Sequence, residues 1–308
     1  MQTRKKTDVE NSPKSLDPRT LAKLSGLQLR ARRIVEGYVA GLHRSPHHGF
    51  SIEFAEHREY APGDDLRYLD WKVFARTDKF YLKQFEDETN LVCHVVFDTS
   101  ESMSFQGPQA ALSKLDYARC IVASLSWLIL KQQDAVGLIT YDQQIRTELT
   151  PSNNAAHLHQ VIRVLEECVP QFKTATGTVL KQLAQRLSKR AVVVVVSDFL
   201  GDTVPLLAGL RALHRRKHDV LVLHVMDPAE LSFPFDRPTR FQGLEQFPDV
   251  VADPRALRDA YLAEMERHLA SVQRACRECE IDYRLVETDK RLDRTLTSFL
   301  SARTARVR

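Results

Sequence analysis

Val192 to Val196 are five valines in succession, followed by Ser197 and Asp198. A β-branched run of this length favours a strand. It offers no polar face to water, so the strand should be central and covered on both sides. Covering both faces of a parallel sheet takes crossover helices, and the sequence supplies them. Apolar strand-like segments at 91–97, 135–141, 191–197, 219–226 and 281–286 alternate with helical patterns at 112–132, 154–168, 178–188, 203–217, 254–279 and 292–302. The prediction is an α/β fold built on a doubly wound, mostly parallel sheet. Segment 144–149 follows strand 135–141 too closely for a crossover, so it is expected as an antiparallel edge strand.

The flanking regions read differently. Residues 1–14 are expected as a flexible tail. Residues 15–90 mix helical spacing with the strand-like Phe50–Phe54 and 79–86, which predicts a smaller N-terminal α+β region. The sheet domain should run from 91 to 302, with a β-hairpin insertion at about 228–253 where Pro-rich sequence interrupts the rhythm.

The first strand runs directly into Asp98-Thr99-Ser100-Glu101-Ser102. In an open parallel sheet, ligands bind beyond the carboxyl ends of the strands. Asp98, Ser100 and Ser102 alternate, so an extended loop turns one carboxylate and two hydroxyls the same way. Such hard oxygen donors suit Mg²⁺, Mn²⁺ or Ca²⁺ rather than zinc. The same residues also suit an Asx turn followed by a helix cap. Asp198 ends the five-valine strand, and Thr174-Ala175-Thr176-Gly177-Thr178 precedes a helix, so both can supply further oxygens.

DTSES resembles the D-x-S-x-S signature of von Willebrand factor A-like domains, as does the order of elements from 91 to 302. The resemblance implies a metal-ion-dependent adhesion site holding one divalent cation, with Mg²⁺ expected. Its ligands would be Asp98, Ser100, Ser102, a later threonine and a later aspartate. Thr178 and Asp198 match the last two, with Thr176 competing for the threonine position. Many members carry glycine after the second aspartate, where this chain has Phe199.

Upstream, HRSPHHGFSIEFAEHREYAPGDDLRYLDWKVFARTDKFYLKQFEDETN resembles the signature block of the domain-of-unknown-function 58 family. In that family the block precedes a von Willebrand A-like domain. The resemblance implies a non-enzymatic, metal-dependent protein-binding adaptor. Its partner would present Asp or Glu to the cation, and association with a MoxR-type AAA+ ATPase in chaperone-like assembly or maturation is the implied setting. Two alternatives stay open: a metal-dependent phosphoesterase using the same carboxylates, and a scaffold whose metal is structural. The densely charged block itself reads either as an ion-pair network or as a docking face.

Other classes find little support. The chain has neither G-x-S-x-G nor G-x-x-x-x-G-K-[ST], so hydrolase-elbow and P-loop readings lack their motifs. Forty-four basic and 40 acidic residues give a net charge of +4, too balanced to argue for nucleic acid. His43, His47, His48 and His57 lack a thiolate partner and read as solvated. Five scattered cysteines, including Cys276-x-x-Cys279, argue for a reducing compartment rather than a disulfide framework. No signal peptide or membrane span is expected, and the location is expected to be cytoplasmic.

Overall fold

The computed structural model describes residues 17–42, 57–59, 74, 80–83 and 91–292. Two compact units divide the chain, Met1–Leu42 with Leu91–Arg308 and, separately, His43–Asn90. The first contains α1 (Pro18–Ala22) and α2 (Leu27–Leu42); the second contains the antiparallel pair β1 (His57–Glu59) and β2 (Tyr81–Lys83). This divides the region expected as one N-terminal unit over 15–90. The reason lies in α2, whose Ala31, Ile34, Val35 and Tyr38 form one apolar stripe buried in the same core as Cys93, Val95 and Phe97. Phe50–Phe54, His43, His47, His48 and the predicted helix 292–302, apart from Leu292, lie outside the described residues.

The large unit is built on six strands: β3 (Val92–Asp98), β4 (Ala135–Tyr141), β5 (Ile145–Ser152), β6 (Val192–Ser197), β7 (Asp219–Met226) and β10 (Asp282–Glu287). Their spatial order is β10-β7-β6-β3-β4-β5. All neighbours are parallel except β4 and β5, which pair antiparallel at the edge as the short connection predicts. The valine run shows why the sheet is buried on both sides. Val194 and Val196 enter one apolar core, Val193 and Val195 the other, and all four are inaccessible to solvent. One strand thus feeds two cores by alternation of its side chains.

Helices cover both faces. α3 (Lys114–Lys131) is capped by Ser113, whose hydroxyl accepts from the Asp116 amide at 3.1 Å. α4 (His157–Glu167) and α5 (Thr176–Arg186) follow β5, and α6 (Thr203–Arg215) follows β6 under an Asp202 cap. The α5–α6 contact is unusually close. A Cβ on Gly177 would lie 2.2 Å from the Pro205 carbonyl carbon, and one on Gly209 2.6 Å from the Gly177 carbonyl oxygen. Only glycine permits this approach. Between β7 and the long helix α8 (Pro254–Glu278) lie α7 (Pro228–Ser232) and the antiparallel pair β8 (Thr239–Phe241) and β9 (Val250–Ala252).

Candidate metal centre at the carboxyl edge of the sheet

β3 has β4 on one side and β6 on the other, so the connections leave it in opposite directions. Such a switch point opens a crevice beyond the strand ends. Asp98 is the last residue of β3, and Asp198 comes one residue after β6. Main-chain bonds hold the surrounding loops. The Thr99 amide donates to the Tyr141 carbonyl at 2.7 Å, the Glu101 amide to Phe172 at 3.0 Å and the Ala175 amide to Asp142 at 2.9 Å. Thus the loop after β3 is fastened both to β4 and to the segment leading into α5.

Asp98 is completely buried. Its Oδ1 accepts from the Ser100 amide at 2.9 Å, the Asx turn foreseen as one reading of DTSES. Its Oδ2 accepts from the hydroxyls of Ser197 at 2.6 Å and Thr174 at 2.9 Å. Ser100 is extended and precedes the short 3₁₀ turn Glu101–Ser104, yet its side chain caps nothing. Its hydroxyl instead lies 3.1 Å from that of Ser102. Both hydroxyls also meet buried carboxylates, Ser100 that of Asp98 and Ser102 those of Asp198 and Glu245, while the backbone makes the turn.

The two candidate threonines lie in different surroundings. Helix α5 begins at Thr176, two residues earlier than the expected 178. Thr176 is buried, with its hydroxyl 2.9 Å from that of Thr174 and 3.0 Å from that of Tyr141. Thr178 is exposed. Two residues along an α-helix rotate a side chain by about 200°, so Thr176 and Thr178 cannot face one site together. The structure thus assembles Asp98, Ser100, Ser102, Thr174 and Thr176 at β3, and leaves Thr178 outside.

Asp198 is also fully buried but differently engaged. Lys114 donates to its Oδ2 at 2.8 Å and to Glu230 Oε1 at 2.6 Å. The Leu200 amide donates to Asp198 Oδ1 at 3.2 Å. Burial alone would raise the Asp198 carboxyl, but the Lys114 ammonium overrides it and holds the group below the ordinary range. Burial works to lower Lys114, yet the two carboxylates keep it above the usual lysine range. Glu230 is raised by burial more than Lys114 lowers it, so Asp198 is the carboxylate that Lys114 chiefly keeps ionised. Asp98 has no such help. Burial first, and repulsion from Asp198 second, push its carboxyl up to about 6 against the hydrogen bonds from Ser197 and Ser100. Phe199 takes the left-handed conformation at φ 51°. Its buried ring, edge-on to His224 at 5.2 Å, offsets the backbone strain.

Sequence reasoning named Thr174 only within a segment able to supply oxygens, and did not foresee Ser197, Lys114, Glu230 or Glu245. Lys114 carried a signal: it lies in helical register with Tyr117, Ala118 and Ile121 on a fully buried stripe. Glu245, between β8 and β9, is 6% exposed. Burial raises its carboxyl, with Ser102 beside it opposing and the charge of Asp198 reinforcing the shift. Elsewhere, burial pushes the Cys276 thiol up to about 12, away from thiolate chemistry, and none of the five cysteines forms a disulfide.

No three His, Cys, Asp or Glu side chains gather into a metal cage among the described residues. A cation here would rest on hydroxyls, aspartate oxygens and water. That donor set fits a small hard dication and not zinc or copper. The buried Asp98 carboxylate, with hydroxyls around it and no ion pair among the described residues, fits it further.

Comparison with known proteins agrees with the architecture. The chain is 28% identical over 293 residues to the uncharacterized protein Rv1480 of Mycobacterium tuberculosis, covering 93% of this chain and 90% of that one. It is similar to an aerotolerance-related membrane protein from Bacteroides fragilis at 18% identity and a TM-score of 0.46, covering 68% of this chain and 96% of that one. It is also similar to the SpRpn10 VWA domain at 13% identity and a TM-score of 0.34, covering 44% and 75%. The observed fold, a mostly parallel sheet with helices on both faces, is the α/β class expected from the sequence. The expected cytoplasmic location is withdrawn, because proteins similar in structure include one described as a membrane protein. No helix among the described residues is long and apolar enough to cross a membrane. The family described as "Protein of unknown function DUF58" matches residues 56–271, and the chain belongs to that family.

Proposed function

We propose that the protein is a binding module that recognises an acidic side chain of a partner protein through one divalent cation, Mg²⁺ for preference. The observation carrying this reading is the buried Asp98 carboxylate at the sheet's switch point, bonded by the hydroxyls of Ser197 and Thr174, with the Thr176 hydroxyl against that of Thr174 and the Ser100 and Ser102 hydroxyls paired on the loop that follows. When bound, the cation supplies a fixed positive charge with coordination positions open to an outside carboxylate. Asp98 and the hydroxyls hold it, while Asp198, tied by Lys114, adds negative potential and orders water. We further propose that the module is not an enzyme. Both oxygens of each aspartate already accept hydrogen bonds, which leaves neither aspartate free as a positioned general base. The partner class we favour is a MoxR-type AAA+ ATPase, on family resemblance alone.

Calorimetric titration with Mg²⁺ tests the cation, and pull-down of a candidate ATPase in Mg²⁺ and in EDTA tests the bridge. Binding lost in EDTA and in Asp98→Ala is the expected result. Equal capture of the partner in EDTA sinks the bridge. Phosphoester turnover that disappears in a folded Asp198→Ala sinks the non-enzyme reading.

A further inference from the structure

Beside the aspartates and hydroxyls sits a carboxylate brought from far along the chain. Glu245 is nine-tenths buried, and its Oε1 has no hydrogen-bond partner among the described residues. Ser102, through its hydroxyl and main chain, and the main chain of Thr174 support the carboxylate's charge, while Asp198 repels it and Oε1 stays unpaired among the described residues. An isolated buried carboxylate oxygen is costly unless something compensates it.

The chain goes to some length to bring it there. Glu245 and Gln246 both adopt positive φ, at 56° and 66°, which non-glycine residues rarely do in succession. The turn is closed on itself: the Gly243 amide donates to Asp249 Oδ1 at 2.9 Å, and Arg240 donates to Asp249 Oδ2 at 2.7 Å. Two tethers then fasten it to the candidate centre. The Glu245 amide donates to Glu101 Oε2 at 2.6 Å, on the loop carrying Ser100 and Ser102. The Lys173 ammonium lies 4.5 Å from the Phe247 ring centroid, next to Thr174.

We propose that Glu245 is the chain's own carboxylate ligand for the cation, occupying the position that an outside acidic side chain would take. The inference rests on the cation site proposed above. It makes the hairpin 239–252 a cover that a partner must lift, so a partner's carboxylate competes with Glu245 rather than entering an open position.

Mn²⁺ alone serves as the probe, titrated into the full chain as wild type, Glu245→Gln and Asp98→Asn. Amide exchange across 242–249 is followed in parallel. Binding should weaken about tenfold in Glu245→Gln, since one anionic ligand is lost. In wild type, Mn²⁺ should slow exchange across 242–249 at least fivefold, and this slowing should vanish in Glu245→Gln. The exchange measurement on wild type needs no variant to fold. If Asp98→Asn loses binding while Glu245→Gln binds as wild type does and exchange ignores Mn²⁺, Glu245 is no ligand and the cation site stands. If wild type binds no Mn²⁺, both readings fall.

Discussion

Two buried carboxylates mark the carboxyl edge of this sheet, and the chain treats them in opposite ways. Around Asp198 it supplies a cation of its own: Lys114, fully buried, bonds Asp198 and Glu230 together. Around Asp98 it supplies hydroxyls from Ser197 and Thr174 and no ion pair among the described residues. A buried charge needs compensation from somewhere. On the lysine side the account is internal, which makes that region structural. On the hydroxyl side hydrogen bonds alone meet the charge, which makes it the place to look for a ligand. The difference between neighbouring aspartates therefore separates scaffold from site more sharply than the signature DTSES does alone.

The strongest way to break this contrast is Lys114→Met. It leaves Asp198 and Glu230 buried without their ammonium, and should cost about 3–5 kcal/mol in urea unfolding. Neutralising the two acids in the same background, as Asp198→Asn with Glu230→Gln, should recover much of it. A loss below 1 kcal/mol would place Lys114 outside the scaffold.

Asp98→Asn should behave in the opposite sense. Without cation, the variant should match wild type within about 1 kcal/mol, because one buried like charge is removed as hydrogen bonds are weakened. With Mg²⁺ at a hundredfold its dissociation constant, wild type should gain about 2.7 kcal/mol and the variant nothing. Thermal unfolding with and without Mg²⁺ reads both effects.

A third buried group near Asp198 sharpens the comparison through pH. His224 is neutral and buried, its Nδ1 sharing a hydrogen bond with the Tyr283 hydroxyl at 3.0 Å. Burial pulls it down to about 3, from 6.5 when solvated. The unfolded chain therefore binds a proton that the folded chain refuses. This contribution is fully present above pH 6.5 and falls as pH drops from 6.5 towards 3, by about 1.4 kcal/mol per pH unit. His224→Leu should flatten that part of the stability profile between pH 6 and 4, measured by urea titration at each pH.

The smallest expected effects distinguish the two threonines. Thr176→Val removes the hydroxyl shared with Tyr141 and Thr174, and should cost about 1 kcal/mol while weakening Mg²⁺ binding. Thr178→Val, at an exposed position, should stay within about 0.5 kcal/mol and leave Mg²⁺ binding unchanged. Equal effects on Mg²⁺ would undo the assignment of Thr176.

That pair also shows where sequence reading stops. Periodicity placed strands and helices well because burial imposes it locally. Val192–Val196 could only be a doubly covered strand, and the short step from Tyr141 to Ile145 could only be an antiparallel turn. The start of α5 was set two residues late, because Thr-Ala-Thr-Gly-Thr carries no decisive cap; Thr178 was matched from the family pattern, with Thr176 competing, and it is Thr176 that the helix buries. Asp98, Ser100 and Ser102 were legible because three neighbours share one loop. Lys114 meets Asp198 across 84 residues and Glu230 across 116, and Glu245 reaches Glu101 across 144. No local pattern encodes such meetings; only the folded sheet brings them about.

The contact between Gly177 and Gly209 has a mechanical consequence. With backbone against backbone and no side chain between, α5 and α6 have no slack in which to slide past each other. They form a single lever, with the Thr176 hydroxyl mounted at one end of α5. A displacement of α6, whose Val204 is 71% exposed, is then transmitted to that hydroxyl through the glycine contact. The two helices therefore move, if they move, as one body.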